Sequence, residues 1–208
     1  MHRIPEGEKF NTLSHLAGFV LAIAGVFLLL IKASAQNDLA KIVSVSIYGL
    51  TVISLYLIST LYHGTTGELK NLFRKMDHVG IYLKTVGLYT PFCLLVMRGA
   101  LGLGVLFAVW FLALIGSVQE ILIGHRTRRY SMIIYVLAAL VWVPGVPALM
   151  AHLPLQGFIW TIGGVGMYGI GFYFYLQDPR IPHAHGIWHM FVLAGTLSLY
   201  SCLYFFVI

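Results

Sequence analysis

TLSHLAGFVLAIAGVFLLLI, residues 12–31, is the stretch whose reading decides the fold. Its polar side chains, Thr12, Ser14 and His15, sit in the first turn. From Leu16 to Ile31 no side chain carries a charge or a hydrogen-bonding group. At 1.5 Å per residue, twenty helical residues span about 30 Å, the thickness of a bilayer's hydrocarbon core. Six further apolar runs follow, at 39–62, 79–97, 101–123, 131–150, 157–176 and 187–208. Each is long enough to cross a bilayer as a helix. No segment alternates polar and apolar residues in ten-residue units, which excludes a transmembrane barrel. The expectation is an all-α membrane protein, a seven-transmembrane helix bundle forming one domain over 1–208.

The rest of the composition agrees. Of 208 residues, 59% are hydrophobic and 10% charged. Soluble domains carry roughly 25% charged residues, so this chain has too little polar surface to stay in solution. The net charge of +6 is no nucleic-acid footprint, because the basic residues sit in short loops between apolar runs. The two cysteines, Cys93 and Cys202, lie inside apolar runs and read as packed thiols, without a disulfide framework or thiolate metal site. Only 64–77 and 124–130 read as polar loops. Pro91, Pro144 and Pro147 are expected to kink their helices, and the glycines of the sixth run to permit close packing.

Lys and Arg divide unevenly between the two faces. Arg3, Lys9, Lys70, Arg74, Lys75, Arg126, Arg128, Arg129 and Arg180 fall on one side; Lys32, Lys41 and Arg98 fall on the other. The positive-inside rule then places the N-terminus in the cytoplasm and the C-terminus outside, in a bacterial plasma (inner) membrane. Ala33-Ser34-Ala35 resembles a signal-peptide cleavage site. The first run is nevertheless longer than a signal peptide's apolar core, so it reads as a retained helix.

Titratable groups inside a membrane span are costly and are functional candidates by default. Here they are Glu8, His15, His63, Asp77, His78, Lys84, Glu120, His125, His185 and His189. With the helix directions fixed by the basic residues, all but Lys84, which is left inside the third helix, fall in the cytoplasmic third of the bundle; His152 alone lies on the outer side. His185 and His189 stand four apart, so their Cβ atoms lie about 5–6 Å from each other on one helix face. Two imidazoles so placed can grip a transition metal. His63 is the natural third ligand from another helix. Three neutral histidines leave zinc one open position, as in catalytic sites. Asp77, read as opening the third helix, and Ser59, one turn from His63, would then flank a water in that position. Haem is a competing use of two histidines, but axial ligands must approach from opposite faces of the ring, which a tight i, i+4 pair does not allow.

At these residues the chain resembles the haemolysin III branch of the progestin and adipoQ receptor family. The matching pieces are GEKFNTLSH (7–15), STLYH (59–63), MDHVGIYLKTVGLYTPF (76–92) and HAHGIWH (183–189). The resemblance implies a seven-helix bundle with a cytoplasmic N-terminus. It also implies Zn2+ held by His63, His185 and His189, with Asp77 and Ser59 in the catalytic surroundings. The related alkaline ceramidases and adiponectin receptors imply hydrolysis of a lipid amide or acyl bond, with a membrane lipid as substrate or ligand and a part in membrane homeostasis. Lys84 departs from the pattern, and Glu120 or an anionic lipid is its expected partner.

Three functions follow from these residues. The first is a zinc-dependent intramembrane hydrolase. The second is a sensor or receptor-like regulator in which zinc ties helices together. The third is a cytolytic haemolysin, which the absence of any amphipathic segment able to pass from water into lipid disfavours. A transporter or channel rests on Lys84 alone.

Overall fold

The structure is a computed structural model that describes residues 4–123 and 128–208. Arg3, His125 and Arg126 lie outside the described residues, as does the side chain of Arg128. The described chain is helical throughout, without a strand. It runs through α1 (Lys9–Ser34), α2 (Leu39–Gly64), α3 (Gly67–Pro91), α4 (Gly99–Leu122), α5 (Arg128–Leu140), α6 (Val146–His152), α7 (Leu155–Leu176) and α8 (Ala184–Cys202). Helices α5 and α6, joined by a 3-10 turn at Val143–Gly145, make one interrupted rod. Seven rods therefore match the seven runs. Six are long and apolar enough to cross a membrane. The seventh, α7, is long enough, but its glycines and tyrosines dilute its apolarity.

Local chemistry explains the helix ends. Asp38 caps α2, accepting from the backbone N–H groups of Ala40 (2.9 Å) and Lys41 (3.2 Å), which would otherwise have no partner. The expected kinks occur where proline removes a backbone donor. Pro91 is followed by a π-helical turn at Phe92–Met97, and Pro144 and Pro147 stand at the starts of the 3-10 turn and of α6.

One expectation fails. Residues 64–77 read as a polar loop, yet only Thr65 and Thr66 separate α2 from α3. The segment from Glu68 to Met76 is built mainly of good helix formers, and its charges project from the helix where it leaves the apolar layer. Asp77 therefore does not open α3; it lies in its third turn and is buried.

The closest helix pairs are α7 with α8, α2 with α3, and α1 with α2. Gly164 and Gly195 set the first of these. A Cβ on Gly164 would come within 3.1 Å of the Gly195 carbonyl oxygen, and one on Gly195 within 2.9 Å of that of Gly164. Gly166 and Gly169 do not serve packing; a Cβ on either would meet nothing within 4 Å. The main apolar core, which includes Leu29, Val45, Cys93, Leu149 and Leu203, fills the half of the bundle away from the N-terminus. Both cysteines are free and buried in it.

Candidate metal centre

Three helices deliver imidazoles to the end of the bundle that holds the N-terminus. On α1, Thr12 and His15 follow Glu8 at four and seven residues, which puts the three on one face. Helix α2 ends with Ser59 and His63, and α8 begins with His185 and His189. His189 is central: its ring centroid lies 4.0 Å from that of His15, 5.0 Å from that of His63 and 4.6 Å from that of His185. His63 stacks on His15 at 5.5 Å and meets His185 edge-on at 5.4 Å. The four rings form one cluster, in which His15, His63 and His189 are buried.

Carboxylates orient two of the rings. His63 Nδ1 is 2.7 Å from Glu8 Oε2, and Glu8 is also held by Asn11 Nδ2 (2.9 Å) and Lys70 Nζ (2.9 Å). The hydrogen bond from His63, helped by Asn11 and Lys70, holds the Glu8 carboxyl well below the usual carboxylate range, against burial that pushes it up. His185 Nδ1 faces Asp178 Oδ2 at 3.3 Å. A carboxylate on Nδ1 fixes the tautomer and leaves Nε2 free to bind a metal. His189 completes the picture, because its buried Nδ1 has no hydrogen-bond partner among the described residues. An orphaned buried ring nitrogen is expensive. A cation held by imidazoles would satisfy it, so the donor set fits zinc.

The sequence reading placed His63, His185 and His189 together, and the structure does bring them together. It also adds His15: one ligand nitrogen each from His15, His63 and His189 lie within 4.8 Å of one another. Glu8 and His15 were both visible as titratable groups near the membrane boundary. Their spacing of seven was the signal that they share a face with each other. Asp178, beyond the end of α7, carried no such signal.

Asp77 and Ser59 meet each other. Ser59 Oγ donates to Asp77 Oδ1 across the α2–α3 interface, and both are buried. Asp77 and His185 line one cavity of about 650 Å3. It runs between α3, α5, α7 and α8 toward Met97 and Leu149, and most of its wall is apolar. No sequence pattern announced it. Gly169 is part of its wall, and α5 and α7, which flank it, barely touch.

The single polar convergence expected from sequence is in fact two clusters. His78 follows Asp77 and so points about 100° around α3. It reaches Glu120 of α4 (3.2 Å), which also accepts from Ser131 of α5 (2.5 Å). Glu120 is therefore occupied, and Lys84 is not its partner. Lys84 Nζ instead donates to Tyr168 Oη at 2.8 Å.

This arrangement defines a class: a multi-pass helical membrane protein with a histidine cluster at one end and an elongated apolar cavity beside it. The family model described as "Haemolysin-III related" matches residues 5–200, and the chain belongs to that family. It is 32% identical to Hemolysin-3 of Bacillus cereus over all of this chain and 95% of that protein. It is 36% identical to the Hemolysin-3 homolog of Bacillus subtilis, over 96% of this chain and 93% of that one. The human monocyte to macrophage differentiation factor is 24% identical over 98% of this chain and 89% of its own length. The resemblance read from the motifs is the family the comparisons give.

Proposed function

We propose that this protein is a zinc-dependent intramembrane hydrolase that cleaves an amide or acyl bond of a membrane lipid. The observation that carries the reading is the orphaned Nδ1 of His189 inside a cluster of imidazoles, with His185 and Asp77 on the wall of a lipid-sized apolar cavity. His63, His185 and His189 hold the metal, and His15 supports the cluster from α1. His185 is preferred to His15 because a catalytic site must open to its substrate, and His185 lines the cavity while His15 does not.

Bound there, zinc supplies Lewis acidity toward water and a carbonyl group. The chain's own residues do the rest. Glu8 and Asp178 keep the Nδ1 protons of His63 and His185 in place. Ser59 fixes the rotation of the Asp77 carboxylate. Asp77 takes the proton of the attacking water as the carbon–oxygen bond forms, then delivers it to the leaving nitrogen as the carbon–nitrogen bond breaks. The apolar cavity seats the acyl chain and keeps bulk water out. The gap between α5 and α7 lets a lipid enter sideways from the bilayer. The basic face then lies in the cytoplasm, in a bacterial inner membrane.

A second reading is favoured by one observation: the compact nitrogen set of His15, His63 and His189 comes from three different helices. Zinc there would tie α1, α2 and α8 together without chemistry, as in a sensor or regulator.

Elemental mass spectrometry of purified protein tests the metal, and Asp77→Asn separates the readings. The hydrolase reading expects about one zinc per chain in both wild type and Asp77→Asn, and cleavage of a long-chain N-acyl lipid by the wild type only. Absence of stoichiometric metal in preparations never exposed to chelator would sink both. A zinc-loaded wild type that cleaves no such lipid, with metal removal lowering its melting temperature, would leave the structural reading.

A further inference from the structure

We propose that Lys84 anchors a second binding site, independent of the metal, which seats the carboxylate of a single-chain fatty acid midway along the bundle with its chain running toward Met97 and Leu149.

Lys84 lies seven residues beyond Asp77, about 10 Å further along α3. It is buried, at 5% exposure, and it lines the cavity. Its ammonium reaches the Tyr168 hydroxyl and lies 4.4 Å from the centroid of that ring. The hydroxyl in turn meets Thr196 Oγ1 at 2.9 Å, which also accepts from Tyr56 Oη at 3.0 Å. None of these partners carries a charge. Among the described residues no carboxylate pairs with Lys84, and the segments 1–3 and 124–127 contain no Asp or Glu. A buried cation without a counter-charge is costly, and in membrane proteins such groups mark ligand paths or counter-ions. Lys84 is part of the cavity wall, so a ligand in the cavity can supply the missing anion.

The walls state the rest of the ligand. The charged and titratable residues Arg74, Asp77, Glu120 and His185 line the part of the cavity before Lys84. On the far side Leu88, Phe92, Met97, Trp142, Leu149 and Leu199 make it apolar. From Lys84 to Met97 the chain climbs thirteen residues, about 20 Å at helical rise, which is room for a long unbranched tail. A volume of about 650 Å3 is in the range of sites for one small ligand. One lysine balances one negative charge, which selects a carboxylate over a dianionic phosphate.

Native mass spectrometry of the full-length protein tests this with three probes of equal chain length: a C16 carboxylate, the C16 alcohol and the C16 alkyl phosphate. The wild type should bind one carboxylate per chain, at least tenfold more tightly than the alcohol or the phosphate. Chelator-treated protein should bind it equally well. Lys84→Met should reduce carboxylate binding to the level of the alcohol, and Lys84→Arg should restore most of it. Leu149→Trp, at the far end, should disfavour the C16 carboxylate relative to a C10 one; this arm holds even if Lys84→Met fails to fold. The proposal is overturned if Lys84→Met binds the carboxylate like wild type, if the phosphate binds as tightly, or if Leu149→Trp leaves chain-length preference unchanged. It is overturned too if chelation abolishes binding, since the carboxylate would then rest on the metal and not on Lys84. Loss of hydrolysis alone leaves every one of these readouts in place.

Discussion

Removing the Glu8 carboxylate should weaken zinc binding although Glu8 never touches the metal. Glu8 Oε2 holds His63 Nδ1 at 2.7 Å, and the carboxylate is itself fixed by Asn11 and Lys70 at 2.9 Å each. That is a short, braced contact, and losing such a partner typically costs 10- to 100-fold in metal affinity, or about 1.4–2.7 kcal/mol. Asp178 makes the matching contact to His185 at 3.3 Å, and its side chain is 37% accessible. A longer contact from a solvated carboxylate fixes its ring less firmly, so Asp178→Ala should cost only a few-fold. Glu8→Gln keeps an acceptor at the same place and should fall between Glu8→Ala and wild type. The assay is competition for zinc against a chelator of known affinity, with the melting temperature of each metal-free variant as control for folding. An Asp178→Ala loss equal to or larger than that of Glu8→Ala would refute the reasoning, as would a Glu8→Ala variant with wild-type affinity.

His185→Ala and His63→Ala should lose stoichiometric zinc by elemental analysis, whereas His15→Ala should keep at least half of it; the reverse order would move the third ligand to α1. Zinc affinity should fall as pH drops, because protons then compete for the imidazoles. Glu8 does not contribute to that fall. Its folded carboxyl is held below its unfolded value of about 4.3, so its contribution is fully present above that value and is lost only as pH falls further, toward the folded pKa. Zinc release between pH 7 and 5 should therefore run parallel in wild type and Glu8→Gln, as read by a zinc-sensitive dye. Gly195→Val places a side chain against the Gly164 backbone, and an overpacked contact of this kind costs about 1–3 kcal/mol, visible as a lower melting temperature with zinc content retained.

Seven apolar runs matched the seven helical rods and the class of fold, because a chain in hydrocarbon must satisfy its backbone within each segment. The same constraint made the buried titratable groups stand out, and the helix-period spacing of His185 with His189 and of Ser59 with His63 put each pair on one face. Those readings depend on local periodicity alone, so sequence carries them. The extension of α3 back to Gly67 was hidden because hydropathy marks the membrane-buried part of a helix and not its polar end. Tertiary structure alone decided which groups meet. Consecutive residues on a helix point about 100° apart, so Asp77 turned to Ser59 while His78 turned to Glu120. Which helix faces oppose one another joined Glu8 to His63, Asp178 to His185 and Lys84 to Tyr168. The cavity has no signature in sequence at all, because it is the space left where α5 and α7 fail to pack, and a void belongs to the arrangement of helices and not to any one of them.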